Sequence, residues 1–90
     1  MKKQVHVCYT GRVQGIGFRY TAQDIADDLG VSGWVKNLTT GMVELVAEAE
    51  EEILEAFLSR IKHHFSRYIQ DIGTQWQSAT GEFSDFSIRF

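Results

Sequence analysis

The sequence predicts an α+β fold, a mostly antiparallel sheet of five strands with two helices packed on one face. Three observations predict it. Residues 4–10 and 85–90 alternate apolar and polar side chains with a period of two. Residues 19–29 and 50–65 instead repeat apolar side chains at helical spacing. Proline is absent from all 90 residues, which leaves glycine as the main punctuation between these segments.

In chain order, "QVHVCYT" sets Val5, Val7 and Tyr9 against His6, Cys8 and Thr10, the pattern of a half-buried first strand. From Arg19 to Leu29, Ala22, Ile25, Ala26 and Leu29 follow i, i+3, i+4, i+7 spacing, and Gly30 stands where a helix ends. "VSGWVKN" and "MVELVAEA" read as strands two and three, joined by the turn "LTTG" into a hairpin. The acidic run Glu50, Glu51, Glu52 favours the start of a second helix. Ile53, Leu54, Phe57, Leu58, Ile61 and Phe65 form its apolar face, and Arg60, Lys62, His63 and His64 gather toward its end. "YIQDIGTQWQSA" is a fourth, less regular strand interrupted by Gly73, and "DFSIRF" is a short fifth.

The order β-α-β-β-α-β plus a terminal strand, with both helices on one sheet face, is that of a ferredoxin-like sandwich. In that topology strands one and two run parallel with strand three between them. Their C-terminal ends then share one sheet edge, about 10 Å apart at two strand spacings. Whatever follows strand one faces whatever ends strand two.

Composition narrows the function. Ninety residues make a single domain, 1–90, that buries roughly two-thirds of its unfolded surface. No apolar run is long enough to cross a membrane. "MKKQVHV" lacks the apolar core of a signal peptide, and the single Cys8 fits a reducing compartment, so a cytoplasmic protein is expected. A net charge of −3 argues against general nucleic-acid binding but allows one local anion site.

That site is sought in "YTGRVQGIGFRY", where Gly11, Gly15 and Gly17 lie between the first strand and the first helix. Successive N–H groups in a tight glycine loop converge into an anion-binding nest. The helix N-terminus adds unpaired donors and the positive end of a dipole. Arg19 offers a guanidinium fork suited to two oxygens of one phosphoryl group. The residues alone leave a second reading open, a glycine-rich turn beside a solvated arginine. Neither a Walker sequence nor the dinucleotide fingerprint is present: no glycine precedes Lys-Ser or Lys-Thr, and Tyr20 occupies the fingerprint's third glycine position.

"GRVQGIGFRY" followed by "GWVKNLTTGMVELVAEAEEE" resembles the acylphosphatase family, in order and in spacing, over residues 5–62. The resemblance implies a metal-independent hydrolase, without cofactor, that splits acyl phosphates into a carboxylate and inorganic phosphate. It implies that Arg19 binds the phosphoryl group, that the loop amides of Gln14, Gly15, Ile16, Gly17 and Phe18 surround its oxygens, and that Asn37 holds the attacking water. Thr39 is then placed to orient Asn37 or merely to shape the turn. The expected partner is a small acyl phosphate, and the expected state a monomer. After residue 62 the chain departs from the family pattern, reading "HHFSRYIQDIG" where a glycine- and proline-rich loop is usual. The second helix is therefore expected to run longer or its connection to pack differently. If the last strand adds beside strand two, the Phe90 carboxylate is brought near Arg19.

Other residues read as structural. Cys8 is taken as a buried small hydrophobe, Trp34 as a packing residue, and the cluster Glu48, Glu50, Glu51 and Glu52 as a solvated helix start. His6 lies far along the chain from His63 and His64, and adjacent helical histidines point about 100° apart, so no metal site is expected. The competing function is a non-catalytic module binding an anion or small ligand on the same fold. An RNA-recognition domain shares the element order but needs stacking aromatics on strand three, where "MVELVAEA" has none. A metal-carrying ferredoxin would need a Cys-x-x-Cys pair.

Overall fold

Val5, Val7 and Tyr9 can leave water together only if their strand has one covered face, and β1 (Lys2–Gly11) meets that demand, with all three fully or almost fully buried. The structure, a computed structural model, describes residues 1–90. Helix α1 (Phe18–Leu29) buries Phe18, Ala22, Ile25 and Ala26, and Gly30 ends it in the left-handed conformation that the sequence predicts. The hairpin follows as β2 (Ser32–Asn37) and β3 (Val43–Glu50). Helix α2 (Glu51–His64) buries Leu54, Phe57 and Ile61, with Glu51 and Glu52 in its first turn. β4 (Ile69–Ser78) and the short β5 (Phe86–Arg89) complete the chain.

The sheet order is β4-β1-β3-β2-β5. β1 pairs antiparallel with β3 and β4, β2 antiparallel with β3, and β5 parallel with β2. β1 and β2 therefore run the same way with β3 between them, as the topology argument requires. The ferredoxin-like α+β class is the observed one. The core lies between the sheet and the helices, where Phe18 stacks on Phe65 at 4.5 Å and tilts against Tyr9 at 4.9 Å. Phe57 meets Phe86 edge-on at 5.8 Å, which ties α2 to the last strand. In the divergent stretch α2 stops at His64, and Tyr68 and Ile69 both donate backbone hydrogen bonds to the Phe65 carbonyl. A tight turn into β4 thus takes the place of a long loop.

Two structural readings need correcting. Cys8 is not buried: it shares the parity of His6, so it stands half-exposed on the open sheet face beside Glu44. Partial loss of solvent, with the Glu44 charge adding to it, pushes the Cys8 thiol above its ordinary pKa, the reverse of activation. Glu48 is not part of a solvated helix start. It is buried in β3, two residues before the strand ends. Its carboxylate accepts hydrogen bonds from Gln4 Nε2 (2.7 Å), the Thr80 N–H (2.8 Å) and hydroxyl (2.9 Å), and the Gly81 N–H (3.1 Å). These bonds pin the connection from β4 to β5.

Burial alone would raise the Glu48 pKa, but the Thr80 N–H, the Gln4 amide, the Gly81 N–H and the Thr80 hydroxyl together hold it below the ordinary value. A depressed folded pKa stabilises the protein above the unfolded value of about 4.3, and that stabilisation is lost as pH falls through the folded pKa. Chemical denaturation between neutral pH and pH 2 is therefore expected to show stability falling below about pH 4.3. Glu48→Gln should be less stable at neutral pH and should show a shallower acid slope. Equal slopes in the two proteins would remove Glu48 from the account of acid stability.

Candidate active site

Between β1 and α1 the chain turns through residues 12–17, held at its ends by two buried side chains, Val13 and Phe18. Gly15 (φ 79°) and Gly17 (φ 78°) are left-handed, whereas no other residue type in the chain has a positive φ. Left-handed glycines on either side of Ile16, whose own φ is not positive, suit a loop whose successive N–H groups turn toward one side. A Cβ at Gly15 or Gly17 would meet no protein atom within 4 Å, so φ, not crowding by the protein, requires glycine there. Gly17 is also the N-cap of α1, without a side-chain cap and with no acidic residue in the first turn. The first N–H groups of that helix keep their donors for another partner.

Arg19 lies in that first turn, half-buried. It makes no ion pair and no side-chain hydrogen bond; its guanidinium rests 4.8 Å from the centre of the Phe90 ring. β5 does add beside β2, but Phe90 meets Arg19 with its ring rather than its carboxylate. Contact through a π-face leaves the in-plane N–H edges of the guanidinium available to an oxyanion.

Asn37 ends β2. Its Oδ1 is buried and has no hydrogen-bond partner, the sole buried side-chain polar atom of which that is true. Such an atom costs roughly 1–3 kcal/mol unless something donates to it. Asn37 and Arg19 line the same cavity of about 180 Å³, together with Val13, Gly15, Gly17, Phe18 and Tyr20. A larger groove of about 860 Å³ runs between α1 and α2, but there Arg60 is already paired with Asp28 at 2.8 Å and no glycine loop is present.

Of the residues singled out in the sequence, the cavity brings together Arg19, Asn37, Gly15, Gly17 and Phe18. Gln14 and Ile16 are absent from its lining. Ile16 packs toward the core, and Gln14 reaches across to the β2–β3 turn, where its Nε2 donates to the carbonyls of Leu38 (2.7 Å) and Met42 (2.9 Å). Thr39 is exposed and makes no hydrogen bond to Asn37. Tyr20, 58% exposed, also lines the cavity, which helical spacing does not predict, since neighbours on a helix point about 100° apart. His6 is bonded to Glu44 at 2.7 Å on the open face, whereas His63 and His64 lie on α2.

Fold and cavity together define a ferredoxin-like α+β sandwich with an unneutralised cation and a bare helix N-terminus at one sheet edge. The family model for acylphosphatase matches residues 5–88. An acylphosphatase from Methanospirillum hungatei is 42% identical over 89 residues, covering 97% of each chain. The crystal structure of an acylphosphatase from Bacillus subtilis superposes with a TM-score of 0.88 at 34% identity, over 98% of this chain and 99% of that one. The fold also matches 12% of full-length HypF, solved in a phosphate- and nucleotide-bound form, at 30% identity, 100% coverage of this chain and a TM-score of 0.90. The chain belongs to the acylphosphatase family and is a hydrolase acting on acyl phosphates.

Proposed function

We propose that the cavity bearing Arg19 and Asn37 is where the acyl phosphate is split. The observation that carries this is the meeting of an arginine without an ion pair and a buried carbonyl oxygen without a donor. The guanidinium fork of Arg19 and the N–H groups between Gln14 and Phe18 take the non-bridging phosphoryl oxygens. Asn37 Oδ1 accepts a hydrogen bond from a water, which leaves a water lone pair directed at phosphorus. The water oxygen bonds to phosphorus as the bond from phosphorus to the acyl oxygen breaks, and the carboxylate departs with that electron pair. One water proton passes to a phosphoryl oxygen, so the dianionic acyl phosphate and water become a carboxylate and dihydrogen phosphate.

A carboxylate is a weakly basic leaving group and needs no strong general acid to expel it. Phosphoryl transfer of this kind passes through a loose transition state, with charge on the equatorial oxygens. Position and positive potential are therefore what the protein supplies. An amide is no base, which is why the proton is assigned to the substrate's own oxygen. Arg19 and the backbone donors supply the potential without a metal. The rest of the reading is a cytoplasmic monomer whose partner is the phosphoryl end of a small acyl phosphate.

Benzoyl phosphate in excess EDTA tests this. The parent is expected to turn it over, and Asn37→Ala to lose about 100- to 1,000-fold in kcat, the usual cost of one preorganised polar partner. Inhibition by inorganic phosphate should persist in Asn37→Ala, since the oxyanion donors remain. A folded parent without turnover in EDTA would overturn the metal-free reading, and a fully active Asn37→Ala would remove Asn37 from the reaction.

A further inference from the structure

The oxyanion donors and Asn37 belong to different elements. The first follow β1, the second ends β2, and β3 lies between those strands. Strand ends are where pairing is least constrained, and Asn37 stands in the last pair of its hairpin, opposite Val43. One side chain spans the two parts directly. Gln14, beside Gly15 in the glycine loop, gives both hydrogens of its amide nitrogen to the hairpin turn, one to Leu38 O and one to Met42 O. Leu38 follows Asn37, and Met42 precedes its pairing partner Val43, so the two bonds bracket the residue that carries the orphan Oδ1.

These bonds are not needed to satisfy the turn. The Leu38 carbonyl also accepts the Gly41 N–H at 3.1 Å, and the Met42 carbonyl accepts the Leu38 N–H at 2.9 Å. Each acceptor keeps a backbone partner without Gln14. What the Gln14 amide adds is a fixed separation between the loop and the hairpin.

We propose that the Gln14 side chain is a positioning residue, holding Asn37 at a set distance from the phosphoryl cradle so that the water meets phosphorus in line. The inference rests on the roles given above to the loop and to Asn37. In-line attack needs reacting atoms about 3–3.5 Å apart, and a misplacement of about 1 Å costs on the order of 100-fold. Oxyanion binding by Arg19 and the loop amides does not depend on where Asn37 stands.

The test compares the parent, Gln14→Met, Asn37→Ala and the double variant with benzoyl phosphate as substrate and inorganic phosphate as inhibitor. Methionine keeps the length of the side chain and removes both donors. Gln14→Met is expected to lower kcat by about 10- to 100-fold while KM and the phosphate inhibition constant stay within about 3-fold. In the Asn37→Ala background the same change should cost no more than about 2-fold, because Gln14 acts through Asn37. Parental kcat, a parallel loss of phosphate inhibition, or full multiplication of the two losses would each overturn the proposal. Should Gln14→Met not fold, Gln14→Asn, which keeps the amide one methylene short of the turn, is held to the same split. An inactive parent, or an unaffected Asn37→Ala, would instead overturn the site assignment itself.

Discussion

Arg19→Ala is expected to lower kcat/KM for benzoyl phosphate by more than about 1,000-fold, roughly 4 kcal/mol of transition-state stabilisation. Removing one neutral oxyanion donor typically costs about 100- to 1,000-fold, and Arg19 supplies both a full charge and a two-pronged geometry. Nothing in the protein neutralises that charge: the guanidinium touches the Phe90 ring and no carboxylate. In the proposed site its attraction is therefore free for the phosphoryl group. The loss should fall on phosphate inhibition as well as on turnover, which separates it from the kcat-only loss expected at Asn37. Arg19→Lys should recover only part of the rate, because an ammonium is a point charge without the planar fork. Since the Arg19 side chain makes no hydrogen bond or ion pair within the protein and its contact with the Phe90 ring is worth about 0.5–1 kcal/mol, the variant's unfolding free energy should stay within about 1 kcal/mol of the parent's. A folded Arg19→Ala enzyme with near-parental turnover would sink the assignment.

Gly33→Ala is expected to destabilise the protein by about 4 kcal/mol, a large share of the roughly 5–15 kcal/mol that holds such a domain folded. Gly33 lies within β2 at φ 140°, paired with Ala47 of β3 and Phe86 of β5. A Cβ built there would fall 1.9 Å from the Val46 carbonyl oxygen and 2.9 Å from the Ala47 Cα, both backbone atoms that cannot swing aside. The strained φ and the forced separation of strands each cost about 1–3 kcal/mol. The Gly33 N–H also donates to the Asp85 carbonyl at 2.9 Å, so displacing β2 disturbs the approach to β5 as well. Urea denaturation measures the effect. A loss below about 1 kcal/mol would mean that the strands relax far more easily than close packing allows.

Alternation made the sheet legible because the helices cover only one face, and that forces apolar residues into step along β1. Helical spacing made α1 and α2 legible for the same reason. Residue type points Cys8 inward, but parity decides: Cys8 stands in line with His6 and Thr10, on the face without helices. "EAEEE" reads locally as one solvated cluster, which hides the burial of Glu48. Its hydrogen-bond donors, Gln4 and the Thr80–Gly81 turn, come from opposite ends of the chain and leave no local trace. The site divides in the same way. Arg19, Asn37 and the glycines are local features that motif spacing reveals. The Gln14 bridge and the ring of Phe90 over Arg19 exist only once a loop meets a turn and the last strand lies beside β2.

The sheet order β4-β1-β3-β2-β5 also carries a consequence for how the molecule comes into being. β1 is the first strand made, yet its two neighbours, β3 and β4, come from the middle and the later part of the chain. Closing those loops costs entropy before pairing repays it, so the pairing of β1 depends on contacts distant in sequence. The glycine loop hangs from the end of β1, and Asn37 is held near it through β3, which pairs with both strands. A nascent chain that has emerged as far as Asn37 holds both Arg19 and Asn37 but has no means of bringing them together. The proposed site therefore depends on the long-range pairings of the sheet and not on the motif segment alone.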